Sequence, residues 1–415
     1  MRRTTGQDST GSESRRLRVV LVDVWCFIPY YQRYLYSALK NKGIDVKLAA
    51  ASYFADPGYL TRSGVHQRIS LLDVVGPANI RNPRARQLLK AVEYGLNMLA
   101  LTGKLLISRP DIVHVQWLPL LTALNIEVPL LRLWKLCGLP LVYTVHNVLP
   151  HDRATRHHHR YATVYHMADA LVCHTEESRT QLIDDFGICP EKICVIPHGP
   201  LFHDLPRPSP EEARRELGYA KDDFVVLWQG VLAPYKGLDF LISAWKSVQE
   251  SCPRARLLIA GTGKDHVLAA VRRRVQEAAV EESVRLDLRY LAAEEISTYF
   301  QAADVLALPY EAITMSGALM TALTYGKPIV ATDLPAFREV LTAEGNALLV
   351  PYGDTAALSL AILRLVQDER LRSHLAGGVE RLNITNMWER IAEKTEACYR
   401  SLISHGTAPA LALRP

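Results

Sequence analysis

Apolar positions along the chain follow two alternating periods. Short uninterrupted apolar runs, as expected of strands buried on both faces, alternate with longer stretches whose apolar residues recur at helical spacing. The first half opens with the strand pattern "LRVVLVD" (17–23), followed by the helix-like "YYQRYLYSALKNKG" (30–43), which Gly43 ends, and the strand "IDVKLAA". "PRARQLLKAVEYGLNMLALTGKLL" then reads as helix, "DIVHVQW" and "LPLVYTVHN" as strands, "TVYHMADALVCHT" as helix running into strand, and "ICVIPHG" as strand. Pro and Gly crowd residues 197–218, and the alternation restarts with "FVVLWQG", "GLDFLISAWKSVQ", "ARLLIAG", "DHVLAAVRRRVQEAA", "VRLDLRY", "AEEISTYFQAA" and "DVLALPY". This predicts an α/β protein of two parallel-sheet domains joined by a linker near residue 200.

Parallel-sheet domains bind ligands in loops that follow the carboxyl ends of strands. Candidate chemistry sits there: His146 after "LVYTV", His198 after "CVIP", Lys236 after "LWQG", Gly261 and Gly263 after "LLIA", and Thr314 to Gly317 after "LALPY". The last of these places small residues where a helix begins. Unpaired N–H groups at a helix start carry partial positive charge and suit phosphate, although an ordinary N-cap connection has the same residue types. His198 lies between Pro197 and Gly199 and reads mainly as part of a hinge.

A length of 415 residues agrees with two cores, and 49% apolar with 22% charged residues is ordinary for a soluble globular protein. The seven cysteines are scattered without C-x-x-C spacing, which fits a reducing cytoplasm and neither a disulfide framework nor a zinc site. Residues 1–16 read as a disordered polar tail rather than a signal peptide, and charged residues break every long apolar stretch, so no membrane span is expected. Charge divides unevenly. Residues 1–205 hold 24 Lys and Arg against 17 Asp and Glu, a balance of +7; the remainder holds 24 against 26, a balance of −2. Nucleic-acid binding lacks both a known module and basic residues interleaved with aromatics. Peripheral membrane contact has a better candidate: Arg81, Arg84, Arg86 and Lys90 stand beside an apolar helix pattern that also suits a core helix with a wet face. Trp25, Phe27, Tyr30 and Tyr31, after the first strand, either line a binding groove or pack.

The ordered set "RPDIVHVQW", "GLPLVYTVHNVLPHD", "ADALVCHTEES", "VIPHG", "WQGVLAPYKGLDFLISAW", "LLIAGTG", "AADVLALPY" and "YGKPIVATDLPAFREV" resembles the GT-B glycosyltransferases, specifically the nucleotide-sugar enzymes of family 4, from residue 17 to about 404. The resemblance implies two Rossmann-like domains facing a cleft: an acceptor domain over 17–200, a nucleotide-sugar donor domain over 205–385, and a helix over 386–404 that returns to the first domain. It implies a metal-independent enzyme moving a hexosyl unit from a UDP- or GDP-sugar to a glycan or lipid-linked cell-envelope acceptor at the cytoplasmic membrane face, with retention as the family default. Lys236 matches the lysine placed against the diphosphate, and His146 the histidine near the transferred sugar; these two are the catalytic candidates. Gly230, Gly261, Gly263, Tyr290, Glu311, Thr314, Met315, Ser316, Gly317 and Thr321 are the implied nucleotide-sugar contacts.

The chain departs from the pattern in two places. Ile313 and Thr321 stand where many relatives carry a pair of glutamates, with Glu311 the nearest acid, and Val231 stands where an arginine is common. These losses support an alternative, a degraded relative that binds sugar nucleotides as a scaffold subunit. No metal is expected. The Asp-x-Asp of metal-dependent glycosyltransferases is absent, and His157, His158 and His159, consecutive on a helix, point in different directions.

Overall fold

The computed structural model describes residues 15–76, 78, 82–149, 154–382 and 387–404. Most of the tail proposed for residues 1–16, and Arg81, lie outside them. Arg15, at the edge of that tail, is ion-paired with Asp111 at 3.1 Å.

Among the described residues, twelve strands form two six-stranded sheets in which every pairing is parallel. The first holds β1 (Arg18–Val22), β2 (Asp45–Ala49), β3 (Ile112–Val115), β4 (Leu141–Val145), β5 (Ala170–Cys173) and β6 (Ile193–Val195), in the order β2-β1-β3-β4-β5-β6. The second holds β7 (Phe224–Gln229), β8 (Ala255–Ala260), β9 (Val284–Asp287), β10 (Val305–Leu308), β11 (Ile329–Thr332) and β12 (Ala347–Val350), in the order β12-β11-β10-β7-β8-β9. Strands such as β3, β4 and β10 are buried at every position, which is why they read as unbroken apolar runs. The expected architecture of two parallel-sheet domains is present.

Each sheet reverses its strand order once, between β1 and β3 in the first and between β7 and β10 in the second. Helices leave for opposite faces at such a point, so the loops beyond those strand ends part and leave a crevice. The helix Met387–Ser404 packs on the helix Pro29–Asn41 of the first domain. Trp388 Nε1 donates to the Pro200 carbonyl at 2.7 Å, Tyr399 OH meets His114 Nδ1 at 2.6 Å, and Lys42 pairs with Glu393 at 2.6 Å. One apolar cluster runs through both domains and this closing helix, while two others fill the outer side of each sheet.

The helix-like stretch around Arg84 and Lys90 becomes Pro83–Ser108, capped by Asn82, whose side chain accepts from Arg84 N and Ala85 N. Tyr94, Met98, Leu101 and Leu105 face the core, while Leu88, Val92, Leu96, Leu99 and Ile107 are exposed on the other side. The helix therefore has a buried face together with an outward apolar stripe.

Candidate active site

A cavity of about 1230 Å³ lies where the loops beyond the two sheets meet. The first domain contributes Phe27, Trp117 and His146 to its wall; the second contributes Gly230, Gly261, Gly263, Tyr290, Glu311, Gly317 and Thr321. The walls touch at several points across the cleft. Thr314 Oγ1 donates to Asn147 Oδ1 at 2.7 Å, the hydroxyls of Tyr30 and Tyr290 are 2.7 Å apart, and Glu339 accepts from the backbone N–H groups of Glu176 and Glu177 at 3.0 Å.

The second-domain wall is built from backbone. Gly261 has φ +144°, and a Cβ on it would lie 1.9 Å from the Gly230 carbonyl oxygen, so only glycine lets the loops after β7 and β8 cross this closely. Lys236 ends a 3₁₀ turn, Pro234–Lys236, whose next residue, Gly237, has φ +66° and sits against the Pro309 carbonyl. This folds the lysine back: its ammonium lies 3.0 Å from where a Gly230 Cβ would stand, 5.6 Å from the Tyr310 ring centroid and 6.0 Å from that of Trp228. Among the described residues it has no ion-pair partner, and burial alone pushes its pKa down from 10.5 to about 8. A partly buried ammonium without a counter-ion suits an anionic ligand.

The loop at 314–317 divides its labour differently from the sequence expectation. Ser316 caps the helix Gly317–Thr324, its hydroxyl accepting from Leu319 N at 3.2 Å. Thr314 bridges the cleft, and Met315 packs against the core. The hydroxyls of Thr314 and Ser316 are thus engaged within the protein. Gly317 and Ala318 line the cavity, and their N–H groups have no hydrogen-bond partner among the described residues. A Cβ on Gly317 would meet only Leu201 Cδ1, at 3.5 Å, an ordinary contact. Packing does not demand glycine there. Thr321, at the second glutamate position of relatives, donates to the Gly317 carbonyl at 2.8 Å, and Glu311 is exposed at the cavity wall.

His146 is held in one tautomer. His174 Nδ1 lies 2.9 Å from the Ile196 carbonyl, which can only accept, so His174 donates there. Burial lowers the His174 pKa to about 4, leaving the ring neutral with Nε2 bare. That nitrogen lies 3.2 Å from His146 Nδ1, which must therefore carry the proton. Burial also holds His146 well below 6.5, so its Nε2 is a bare acceptor, buried and unpartnered. Tyr31 packs edge-on against the His146 ring at 5.1 Å. His198 is buried with its pKa lowered to about 3, and its Nδ1 meets the Gly199 carbonyl at 2.7 Å, which fits the structural role read from its neighbours.

His174, Asn147 and Trp117 were missed from sequence. His174 in "VCHT" had the signal that found His146, a histidine just after a strand. In the histidine run, His158 stacks on Phe186 at 4.3 Å and bonds the Asp185 carbonyl. Among the described residues no group of three or more His, Cys, Asp or Glu side chains is placed to hold a metal ion.

Residues 30–199 match the profile for Glycosyltransferase Family 4, and residues 223–368 that for Glycosyl transferases group 1. The chain belongs to the GT-B glycosyltransferases. Over 264 residues the chain is 28% identical to D-inositol 3-phosphate glycosyltransferase of Kineococcus radiotolerans, covering 59% of this chain and 60% of that protein, less than two thirds of its length. Sucrose-phosphate synthase from Thermosynechococcus elongatus superposes with a TM-score of 0.72 at 21% identity, covering 94% of this chain and 100% of that one. Anabaena HepE, solved with UDP and glucose, superposes with a TM-score of 0.73 at 18% identity, covering 92% and 100%. At these identities the two structures show the shared fold.

Proposed function

We propose that this GT-B glycosyltransferase moves a hexosyl unit from a UDP- or GDP-sugar to a glycan or lipid-linked cell-envelope acceptor without a metal ion. The observation that carries the proposal is Lys236: an ammonium without a counter-ion that does not itself line the cavity but lies against Gly230, which does, in a domain whose wall also offers the unpartnered N–H groups of Gly317 and Ala318. Departure of the nucleoside diphosphate gathers negative charge on its leaving oxygen. A fixed cation and fixed dipoles stabilise that charge without reorganising as it develops. His146, neutral and with Nε2 bare, accepts from a hydroxyl of the transferred sugar and orients its reacting centre. The UDP and glucose bound by HepE favour a UDP-sugar as the first donor to try. Purified protein incubated with UDP-glucose, UDP-N-acetylglucosamine and GDP-mannose is expected to release UDP or GDP slowly even without acceptor. Binding without release across donors and acceptors supports the second reading, a scaffold subunit. Ile313 and Thr321, in place of the usual glutamates, motivate that reading.

A lipid-linked acceptor requires approach to a membrane. No helix among the described residues is long and apolar enough to cross one. Beside the outward stripe of the helix Pro83–Ser108, Arg84 is exposed near the start, while Arg86 and Lys90 are half-buried and Lys90 lies 5.8 Å over the Phe54 ring; anionic lipid matches the stripe together with Arg84. Co-sedimentation with phosphatidylglycerol vesicles exceeding that with phosphatidylcholine vesicles is the expected result; equal sedimentation removes this part of the proposal.

A further inference from the structure

The first-domain wall of the cavity is rich in aromatic rings. Phe27, beyond β1, and Trp117, beyond β3, flank the crevice where that sheet reverses order, and they stack with centroids 4.6 Å apart and planes 8° apart. Phe27 is 54% exposed, so its ring face is presented to the cavity rather than spent on the core. Tyr30, Tyr53 and Tyr143 continue the wall. The charged side chains that line the cavity, Lys264 and Glu311, both belong to the second domain. A stacked pair held flat at a cleft wall matches a ligand with one apolar face and hydroxyls around its edge, the shape of a pyranose ring. A phosphate monoester fits poorly, because its charge would lose water against a wall whose described residues offer no cation.

We propose that the acceptor subsite takes an uncharged sugar ring stacked on the Phe27 and Trp117 pair, and not a phosphorylated polyol of the kind named for the D-inositol 3-phosphate relatives. This rests on the transferase reading and narrows its acceptor. The test is calorimetric titration of the full chain, with and without saturating UDP. The probes are methyl glycosides of glucose, galactose, mannose and N-acetylglucosamine, D-inositol 3-phosphate and a short polyprenol. The expected result is that at least one glycoside binds, that Phe27→Ala weakens it about tenfold with UDP affinity unchanged, and that Phe27→Tyr restores it. Phe27 is exposed enough that its truncation leaves the fold intact. The platform is overturned if D-inositol 3-phosphate or the polyprenol binds while no glycoside does, or if Phe27→Ala binds glycosides as tightly as the parent. Loss of UDP and GDP binding, with Phe27-dependent glycoside binding retained, would instead sink the donor assignment and leave the platform standing.

Discussion

The two walls of the cleft come from sheets of the same parallel kind, yet they are made of different material. The second-domain wall is rich in glycine and backbone N–H, with the partly buried Lys236 ammonium behind Gly230; the first-domain wall is rich in phenyl, indole and phenol. Overall charge runs the other way, +7 over residues 1–205 and −2 beyond. The domain richer in positive charge shows the cavity an uncharged face, and the domain with the negative balance holds the ammonium. Net charge reports what most of the surface meets, whereas a site is set by the few groups that the strand ends carry into a low-dielectric crevice.

Removing the ammonium is the sharpest way to break this comparison. Lys236→Ala is expected to cut turnover by about 100- to 1000-fold, the range typical of losing one preorganised charge-stabilising group. The fold should survive, since the side chain gives up no hydrogen bond or ion pair among the described residues. Steady-state kinetics with donor and acceptor varied separately is the measurement. A near-parental rate, or a loss confined to the acceptor's KM, would show that Lys236 does not serve the donor.

A smaller loss is expected at the helix start. Gly317→Val should raise the dissociation constants of UDP and the UDP-sugar together, by about tenfold or more, by placing bulk where phosphate oxygens approach the N–H groups. Gly317→Ala should fold normally, because its Cβ meets only Leu201 at 3.5 Å, and should still weaken UDP. Ser316→Ala acts on stability instead: it deletes the cap on Leu319 N and costs about 1 kcal/mol, with little change in affinity. Unchanged affinity for every nucleoside diphosphate in both glycine variants would remove the cradle from the donor wall.

The same wall should respond to pH. Folding depresses Lys236 from 10.5 to about 8, so the free protein loses this proton as pH rises through about 8, and a bound diphosphate holds it on. UDP affinity is therefore steady below about pH 7 and falls above 8, by up to about tenfold per unit, with proton uptake on binding. Stability without ligand moves oppositely. The unfolded chain keeps the proton up to about 10.5, so stability from this group rises between 8 and 10.5. Titrations in buffers of different ionisation heat measure the uptake, and Lys236→Arg should flatten the profile. A profile equally steep in that variant would assign the effect elsewhere.

Much of the second-domain wall was legible in sequence because its chemistry is local. A strand end, a glycine and a lysine within ten residues, "WQGVLAPYKG", fix where Lys236 falls, and a helix start after "LALPY" shows in the apolar period itself. What could not be read depends on strand order and on how the domains meet. His174 reaches His146 because β4 and β5 are neighbours, though 28 residues separate them. Tyr30 meets Tyr290 across 260 residues, and Thr314 turned from its expected phosphate role to Asn147 across 167, contacts that exist only once two separate sheets face each other. The Phe27 and Trp117 stack likewise needs β1 beside β3, so the aromatics after the first strand could be read only as groove or packing until the order was known.

The smallest effect expected is that of removing metal, and it tests whether the donor wall is complete in itself. A departing diphosphate needs its charge met by something, and metal-dependent glycosyltransferases use a divalent cation held by carboxylates. Here that position is assigned to the Lys236 ammonium together with the Gly317 and Ala318 N–H groups, while Glu311, the acid on this wall, is a single exposed carboxylate. Turnover after EDTA treatment and gel filtration should therefore stay within about twofold of the untreated rate, since a fixed cation and dipoles already supply what a metal would. Lys236→Ala gives the experiment a second arm. If added Mn²⁺ raises the EDTA-treated parent rate many-fold, the ammonium is not the main counter-charge and the donor wall has been misread. If Mn²⁺ partly rescues only the alanine variant, the metal is filling the vacated charge position, which would place that position on the leaving diphosphate.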